Sequence, residues 1–136
     1  MKSLIVDDDF TCSYIYQTQL SKYGKCDVFP NGMDAIEAYK TSLNKENPYN
    51  LMVIDIMMPD MNGYDVLKKI REVEAERHIY FPFCAKIILT TGLDDDENRK
   101  IKQLLDADNE AYIPKSSYPE TLIDKLNEFG FVLDLV

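Results

Sequence analysis

The chain of 136 residues has few basic side chains and no long apolar run. Lysine and arginine total 15 against 24 aspartate and glutamate residues, which leaves a formal net charge of −9. A nucleic-acid interface needs an excess of positive charge to displace counterions, so this deficit argues against DNA or RNA as a partner. The longest apolar stretches, such as residues 51–54, are too short to cross a bilayer, so we expect no membrane insertion.

Further absences narrow the expected cellular setting. Residues 1–3 lead into only three apolar residues, which is too short for the core of a signal peptide. The three cysteines, Cys12, Cys26 and Cys84, have no metal-type spacing, and their odd number suits a reducing cytosol. The chain contains no linker, internal repeat or low-complexity segment. We therefore expect a cytoplasmic protein with a single domain over residues 1–136.

What the chain does contain is an alternation of short apolar runs and longer segments with apolar residues at helical spacing. The apolar runs predict five strands, at residues 3–6, 26–29, 51–54, 87–89 and 111–113. Apolar strands without a polar face indicate a parallel sheet that is covered on both sides. The sequence therefore predicts an α/β fold, a doubly wound five-stranded parallel sheet with helices on both faces.

The residues that end these strands are candidates for a functional site, because open parallel sheets bind ligands at the carboxyl ends of their strands. They are Asp7, Asp8, Asp55, Thr91 and Lys115. A single acid after a strand is often only a helix cap. Crowded carboxylates repel one another, and Mg²⁺ relieves that repulsion. A carboxylate can also attack phosphorus to form an aspartyl phosphate. Mg²⁺ and Lys115 would then neutralise the phosphoryl group, and Thr91 has a hydroxyl able to donate to it.

At these residues the sequence resembles the receiver domain of response regulators in two-component signalling, and the likeness covers nearly the whole chain. Residues 4–9 are similar to the first strand of that family with its acidic pair. Residues 51–63 resemble the phosphoacceptor strand and the following loop almost residue for residue. Residues 31–32 and 91–92 are similar to further family positions. The resemblance implies a flavodoxin-like strand order, 2-1-3-4-5.

The resemblance also implies a magnesium-dependent phosphorylation site. Asp55 is then the residue that becomes phosphorylated. Asp7 and Asp8 hold Mg²⁺ together with Asp55, directly or through water, and the backbone carbonyl of Met57 completes the set of ligands.

Three other residues receive roles from the same resemblance. Thr91 grips the phosphoryl group, and Lys115 forms an ion pair with it. Tyr112, three residues before Lys115, matches the aromatic residue that turns inward when receiver domains switch. This movement reshapes the face made by the fourth helix, fifth strand and fifth helix.

The function implied is that of a stand-alone, chemotaxis-regulator-like receiver rather than a turnover enzyme. It takes a phosphoryl group from a sensor histidine kinase or a histidine phosphotransfer protein and signals to a downstream protein target. A homodimer through the fourth-helix face stays open. A degenerate receiver, which binds partners without phosphorylation, is the alternative. An aspartyl phosphohydrolase is disfavoured because Met57 occupies the place of its second acid, and a flavin module because the first strand leads into acids.

Three departures from the family pattern bear on these expectations. The family usually has a proline, often after a cis peptide bond, where Ser116 follows Lys115 here, so the geometry at Lys115 stays open. Residues 74–85 lengthen the connection into the fourth strand, and their aromatic side chains predict a buried local cluster rather than an exposed partner patch. After a core over residues 1–130, residues 131–136 form an apolar tail that packs back or contacts another chain.

Overall fold

Five parallel strands form the centre of the molecule in a computed structural model that describes residues 1–93, 95–117 and 120–133. The elements follow in the order β1 (Lys2–Val6), α1 (Phe10–Leu20), β2 (Lys25–Phe29), α2 (Gly32–Asn44), β3 (Leu51–Asp55), α3 (Gly63–Glu76), β4 (Lys86–Thr91), α4 (Asp96–Lys102), β5 (Glu110–Pro114), a 3-10 turn (Lys115–Ser117) and α5 (Glu120–Glu128). The strands pair in the order β2-β1-β3-β4-β5. This confirms the predicted α/β fold and its strand order.

Two apolar layers cover the two faces of the sheet. Alternate residues of a strand point to opposite faces, so β1 sends Leu4 and Val6 into one layer and Ile5 into the other. The first layer is built with side chains of α2 and α3, and the second with side chains of α1 and α5. All five residues of β3 are buried, including the aspartate at its end. The central strand therefore carries a carboxylate to the edge of a fully covered sheet.

Short loops join the carboxyl ends of the strands to the helices that follow. Asp9, Asn31, Asn62 and Asp95 cap α1, α2, α3 and α4, and each side chain accepts a hydrogen bond from a backbone N–H of the first turn. Gly63 starts α3 directly against β3, where a Cβ atom would lie 2.5 Å from the carbonyl oxygen of Asp55. This close approach holds the start of α3 next to the end of the central strand.

A buried ionic network lies at the opposite end of α3. Glu74 accepts hydrogen bonds from the Arg71 guanidinium at 2.7 Å, the Tyr39 hydroxyl at 2.8 Å and the Ala85 backbone N–H at 2.8 Å. Arg71 also donates to Glu110, the first residue of β5, at 2.8 Å. Burial by itself would lower the pKa of Arg71, but its bonds to Glu74 and Glu110 raise it. The network joins α2, α3, the segment directly before β4, and β5.

The connection between α3 and β4 differs from its prediction. Tyr80, Phe81 and Phe83 have exposed fractions of 60%, 64% and 83%, so the prediction of a buried local cluster is wrong for these three rings. Ile79 of this connection is half-buried, whereas the three rings that follow it lie in solvent. The rings therefore form an exposed apolar patch.

Two other segments also depart from the sequence pattern or extend beyond it. α4 ends at Lys102, although the apolar spacing predicts a helix that continues through Leu105. Phe131 packs against the layer that contains α5, as expected for a tail that folds back, whereas Val132 and Leu133 are exposed. The rest of the predicted tail, residues 134–136, lies outside the described residues.

Within the described part of the chain, no helix is both long and apolar enough to span a membrane.

Candidate functional site

Three carboxylates meet at the carboxyl ends of β1 and β3, which are neighbours in the sheet. Asp7 and Asp8 follow β1, and Asp55 is the last residue of β3. One oxygen from each of the three side chains lies within 4.8 Å of the others. Asp7 and Asp55 are buried while Asp8 is exposed, so the cluster opens to solvent on the side of Asp8.

Lys115 reaches this cluster from the carboxyl end of β5, the strand at one edge of the sheet. It follows β5 directly, and its Nζ donates a hydrogen bond to Asp7 Oδ2 at 2.9 Å and lies 3.5 Å from Asp55 Oδ2. Burial by itself would lower the pKa of Lys115, but the hydrogen bond to Asp7 and the charge of Asp55 raise it above its ordinary value. Among the described residues Phe81–Pro82 is the only cis peptide bond, so the bond between Lys115 and Ser116 is trans. The lysine reaches the carboxylates without the proline of the family pattern.

Asp55 is poorly neutralised although a lysine is near it. Burial and the negative charge of Asp7 raise the pKa of Asp55 to about 6. Lys115 and the backbone N–H of Met57, which donates to Asp55 Oδ1 at 3.2 Å, offset this only in part. Three acids against one ammonium group leave an excess of negative charge on oxygen ligands. Such a set fits Mg²⁺, which prefers carboxylate and water oxygens.

The first turn of α1 holds the Asp7 side of the cluster in place. The backbone N–H of Asp9 donates to Asp7 Oδ1 at 2.9 Å, while the Asp9 carboxylate caps the helix. The hydrogen bond from the Cys12 backbone holds the pKa of Asp9 below its usual value. Burial raises the pKa of the Cys12 thiol, which also interacts with Lys115. The sequence showed only that Cys12 lacks metal-type spacing and did not place it beside the lysine.

Thr91 ends β4 with its hydroxyl turned to the following loop. Thr91 Oγ1 donates to the Leu93 carbonyl at 3.0 Å and accepts from the Leu93 N–H at 3.0 Å and from Asn98 Nδ2 at 3.1 Å. Asn98 Nδ2 also lies 2.6 Å from the Leu93 carbonyl oxygen, and the Asn98 side chain is buried. Sequence reasoning missed Asn98, because one asparagine in a charged helix gives no signal of its own.

The two remaining predicted residues lie beside the cluster. The Met57 side chain is exposed in the loop after β3, and its backbone holds Asp55 as described above. Tyr112 is half-buried on β5, where its ring packs against the layer that contains α2 and α3. Tyr112 also borders a shallow depression with Arg99 and Lys102 of α4. It therefore lies between the core and the surface made by α4 and β5.

Comparison with known proteins fits this geometry. Residues 3–127 match the model of the family described as the response regulator receiver domain. The chain belongs to this family, and so it is a receiver domain of the two-component signalling type.

Individual relatives show how much of each protein is shared. The chain is 38% identical over 80 residues to "Two-component response regulator 24" of Arabidopsis thaliana, covering 58% of the chain and 55% of that protein. It is 30% identical over 112 residues to "Regulatory protein VanRB" of Enterococcus faecalis, covering 82% of the chain and 44% of that protein. The chain thus spans about half the length of these two curated relatives.

Among solved structures, the response regulator TrrA from Thermotoga maritima, in complex with Mg²⁺ and BeF, resembles this chain over nearly the whole length of both proteins. It superposes with a TM-score of 0.71 and 25% identity, covering 94% of this chain and 97% of that one.

Proposed function

We propose that this receiver domain is a phosphorylation-dependent switch in which Asp55 accepts a phosphoryl group. The donor is a phosphohistidine on a sensor histidine kinase or on a histidine phosphotransfer protein. The observation that carries this proposal is the position of Asp55 at the end of the central strand, next to two further acids and an ammonium group at 3.5 Å. The likeness of this chain to TrrA, which was solved in complex with Mg²⁺ and BeF, supports the same assignment.

In the transfer step, a carboxylate oxygen of Asp55 attacks the phosphorus atom. The bond between phosphorus and the imidazole nitrogen breaks, and its electron pair stays on the nitrogen of the donor. Asp55 must be ionised to attack, and its pKa of about 6 makes it so at neutral pH. Lys115 already lies between Asp7 and Asp55, so its ammonium group is placed to follow the negative charge onto the phosphoryl oxygens.

Asp7, Asp8 and Asp55 are the residues that would hold Mg²⁺, and the family resemblance adds the carbonyl of Met57 to them. When bound there, the ion supplies positive charge that the three acids and the phosphoryl oxygens lack. Asp55 binds protons with a pKa of about 6, so protonation competes with the ion below that pH.

The response to phosphorylation then depends on Thr91 and Tyr112. To donate to a phosphoryl oxygen, the Thr91 hydroxyl has to leave its hydrogen bonds to Leu93 and Asn98. Loss of these bonds allows the loop before α4 to shift. Tyr112 packs at the border of α4 and β5, so a shift of this loop changes the space around its ring. The surface of α4, β5 and α5 is thereby altered for a downstream protein. The domain acts once for each phosphoryl group and is not a turnover enzyme.

The test uses the small phosphodonor acetyl phosphate. The protein is incubated with acetyl phosphate and MgCl₂, and the intact mass is measured with time. We expect one added phosphoryl group on the native chain, no adduct after chelation of Mg²⁺, and no adduct on Asp55→Asn. The matched control Asp60→Asn changes an exposed acid in the adjacent loop and should be phosphorylated normally.

Other results would contradict the proposal in identifiable ways. Absence of an adduct on the native chain, together with measured Mg²⁺ binding, would favour a degenerate receiver that works without phosphorylation. An adduct that persists on Asp55→Asn would show that another residue is the acceptor. Sustained hydrolysis of unrelated phosphoesters would indicate a phosphohydrolase.

A further inference from the structure

An apolar groove of about 480 Å³ lies at the amino ends of β3 and β4, at the edge of the sheet opposite to Asp55. Its walls come from α2, the loop before β3, the connection into β4 and the segment after α5. The principal apolar lining residues are Tyr49, Ile79, Pro82, Phe83, Phe129 and Phe131. We refer to this feature as the amino-end groove.

Several apolar side chains at the rim of the amino-end groove are exposed to solvent. Phe83 lines the groove with most of its side chain in solvent, and Tyr80 and Phe81 are exposed beside it. Val132 is exposed one residue after Phe131, which lies in the wall. Contiguous exposed apolar surface of this kind marks interaction sites in soluble proteins.

Two lysines add positive charge to this apolar surface. Lys2 Nζ lies 4.4 Å from the centre of the Tyr49 ring, and Lys86 Nζ lies 5.5 Å from the centre of the Phe129 ring. Lys2 Nζ donates to the Asn47 carbonyl, and Lys86 Nζ donates to backbone and amide oxygens of residues 108 and 109. These acceptors are neutral, and within the described residues no carboxylate forms an ion pair with either lysine.

Two further lysines, Lys25 and Lys45, lie near Lys2. Burial and the neighbouring charge of Lys25 lower the pKa of Lys2, and Lys45 contributes in the same direction, while Asp27 acts against them. Asp27 lies 3.8 Å from Lys25 and accepts a hydrogen bond from the Tyr49 hydroxyl. Asp27 is therefore shared, and Asp106 lies near Lys86 without forming an ion pair with it. Among the described residues, Lys2 and Lys86 thus keep charges that no carboxylate pairs directly, in a chain whose net charge is −9.

We propose that the amino-end groove binds an extended acidic segment of a partner protein. The segment inserts a bulky apolar side chain among the aromatic walls and places its carboxylates near Lys2 and Lys86. Burial of the apolar side chain supplies most of the affinity, and the two lysines select for negative charge. This inference does not depend on the phosphorylation of Asp55, because the groove is at the other edge of the sheet.

The charges favour this occupant over two others. A second copy of the chain in a symmetric dimer would bring the lysines of one groove against those of the other and oppose two chains of charge −9. A nucleic acid would meet only a few lysines here and strong repulsion from the rest of the surface. An acidic, apolar peptide meets complementary charge and complementary polarity at the same place.

The test is a titration of the isotopically labelled full chain with two synthetic hexapeptides, followed by NMR. One peptide is acetyl-DEFLED-amide, and its neutral twin is acetyl-NQFLQN-amide. We expect saturable shifts of the backbone signals of Ile79, Phe83 and Phe131, and a Kd about tenfold lower for the acidic peptide at low salt. Added NaCl should narrow this difference, since it screens the charge–charge part of the interaction.

Four variants separate the apolar and ionic contributions. Phe83→Ser should weaken binding of both peptides about fivefold or more. Phe10→Ser, which removes an equally exposed ring from α1, should leave both Kd values unchanged. Lys2→Gln should weaken the acidic peptide about threefold without affecting the neutral twin, and Lys69→Gln on the outside of α3 should change neither. The same spectra report whether each variant is folded.

Several results would overturn the proposal. Equal affinity for the two peptides would show a groove without selection for acidic segments. Absence of saturable shifts, shifts confined to the carboxyl ends of the strands, or insensitivity to Phe83→Ser would show that neither peptide binds there. Shifts of the groove signals with protein concentration alone would identify a second copy as the occupant.

Discussion

Two buried carboxylates at opposite ends of this molecule have very different surroundings. Glu74, beside the start of β4, receives three hydrogen bonds of 2.7 to 2.8 Å, one of them from a guanidinium. Asp55, at the end of β3, receives one backbone hydrogen bond of 3.2 Å and has the Lys115 ammonium at 3.5 Å. Both side chains are nearly inaccessible to solvent.

The comparison shows that this fold compensates the charge of one buried carboxylate and leaves that of the other largely uncompensated. The charge of Glu74 is fully satisfied by neighbours that also tie four elements together, so this carboxylate is a structural group. The charge of Asp55 is left under-satisfied, next to the negative charge of Asp7. A buried charge in that condition gains most from whatever brings positive charge to it. This difference is the reason why we propose Asp55, and not Glu74, as the residue that binds an ion and a phosphoryl group.

The largest effect that we predict concerns the structural carboxylate. Glu74→Ala removes the acceptor that Arg71, Tyr39 and the Ala85 N–H share, so the free energy of unfolding should fall by about 4 kcal/mol. Urea denaturation followed by circular dichroism measures it. Glu72→Ala, which removes an exposed acid from the same helix, should change stability by less than about 0.5 kcal/mol. A small loss for Glu74→Ala would mean that the network is not a stabilising one.

The ammonium group of Lys115, at the carboxyl ends of the strands, should accelerate phosphoryl transfer to Asp55. Lys115→Met removes the positive charge that faces Asp55, and we expect phosphorylation by acetyl phosphate to slow about 100-fold. The rate is read from the intact mass with time at saturating Mg²⁺. Lys69→Met, on the exposed side of α3, is the control and should react at the native rate. If Lys115→Met also reacted at the native rate, the lysine would be structural only.

The under-satisfied charge of Asp55 should cost stability in the absence of Mg²⁺. Its folded pKa of about 6 lies above the ordinary 3.8, so ionisation opposes folding as the pH rises through that interval. Asp55→Asn should therefore raise the free energy of unfolding by about 2 kcal/mol at pH 8 and by much less near pH 4. Urea denaturation at both pH values measures this. A benefit that is independent of pH would contradict the assigned cause.

The smallest predicted effect concerns the side chain that holds Thr91. Asn98→Ala removes one of the hydrogen bonds that keep the Thr91 hydroxyl turned to the loop, so phosphorylation should become about threefold faster. Acetyl phosphate kinetics measure the rate, and Lys100→Ala on the exposed side of α4 is the control. A slower reaction would show that Asn98 positions Thr91 for phosphoryl transfer instead of restraining it.

Much of the fold could be read from local patterns. The apolar runs located every strand to within a few residues, because a strand covered on both faces tolerates few polar side chains. The residues at the ends of those runs were found for a related reason. Parallel strands deliver their ends to one edge, so Asp7, Asp55 and Lys115 had to lie near one another once the sheet was parallel.

The sequence was less informative wherever a side chain depends on partners from distant segments. Neither the network of Glu74 nor the contact of Asn98 with Thr91 produces a recognisable pattern in the sequence, because each is formed by side chains on different elements. The connection before β4 was misjudged for the same reason. Its aromatic residues indicate apolar character, but whether Phe83 is covered depends on the room left by neighbouring elements.

The sequence by itself determined the α/β class, the parallel sheet and the set of acids at the ends of its strands, because these follow from local hydrophobicity and from strand direction. Only the tertiary structure decided which hydrogen-bond donors and opposite charges surround each buried charge. It gave Glu74 a guanidinium and two further donors, left Asp55 with a pKa of about 6, and opened an apolar groove beside lysines at the opposite edge. The physical reason is that solvation and charge compensation depend on which groups surround a side chain in space.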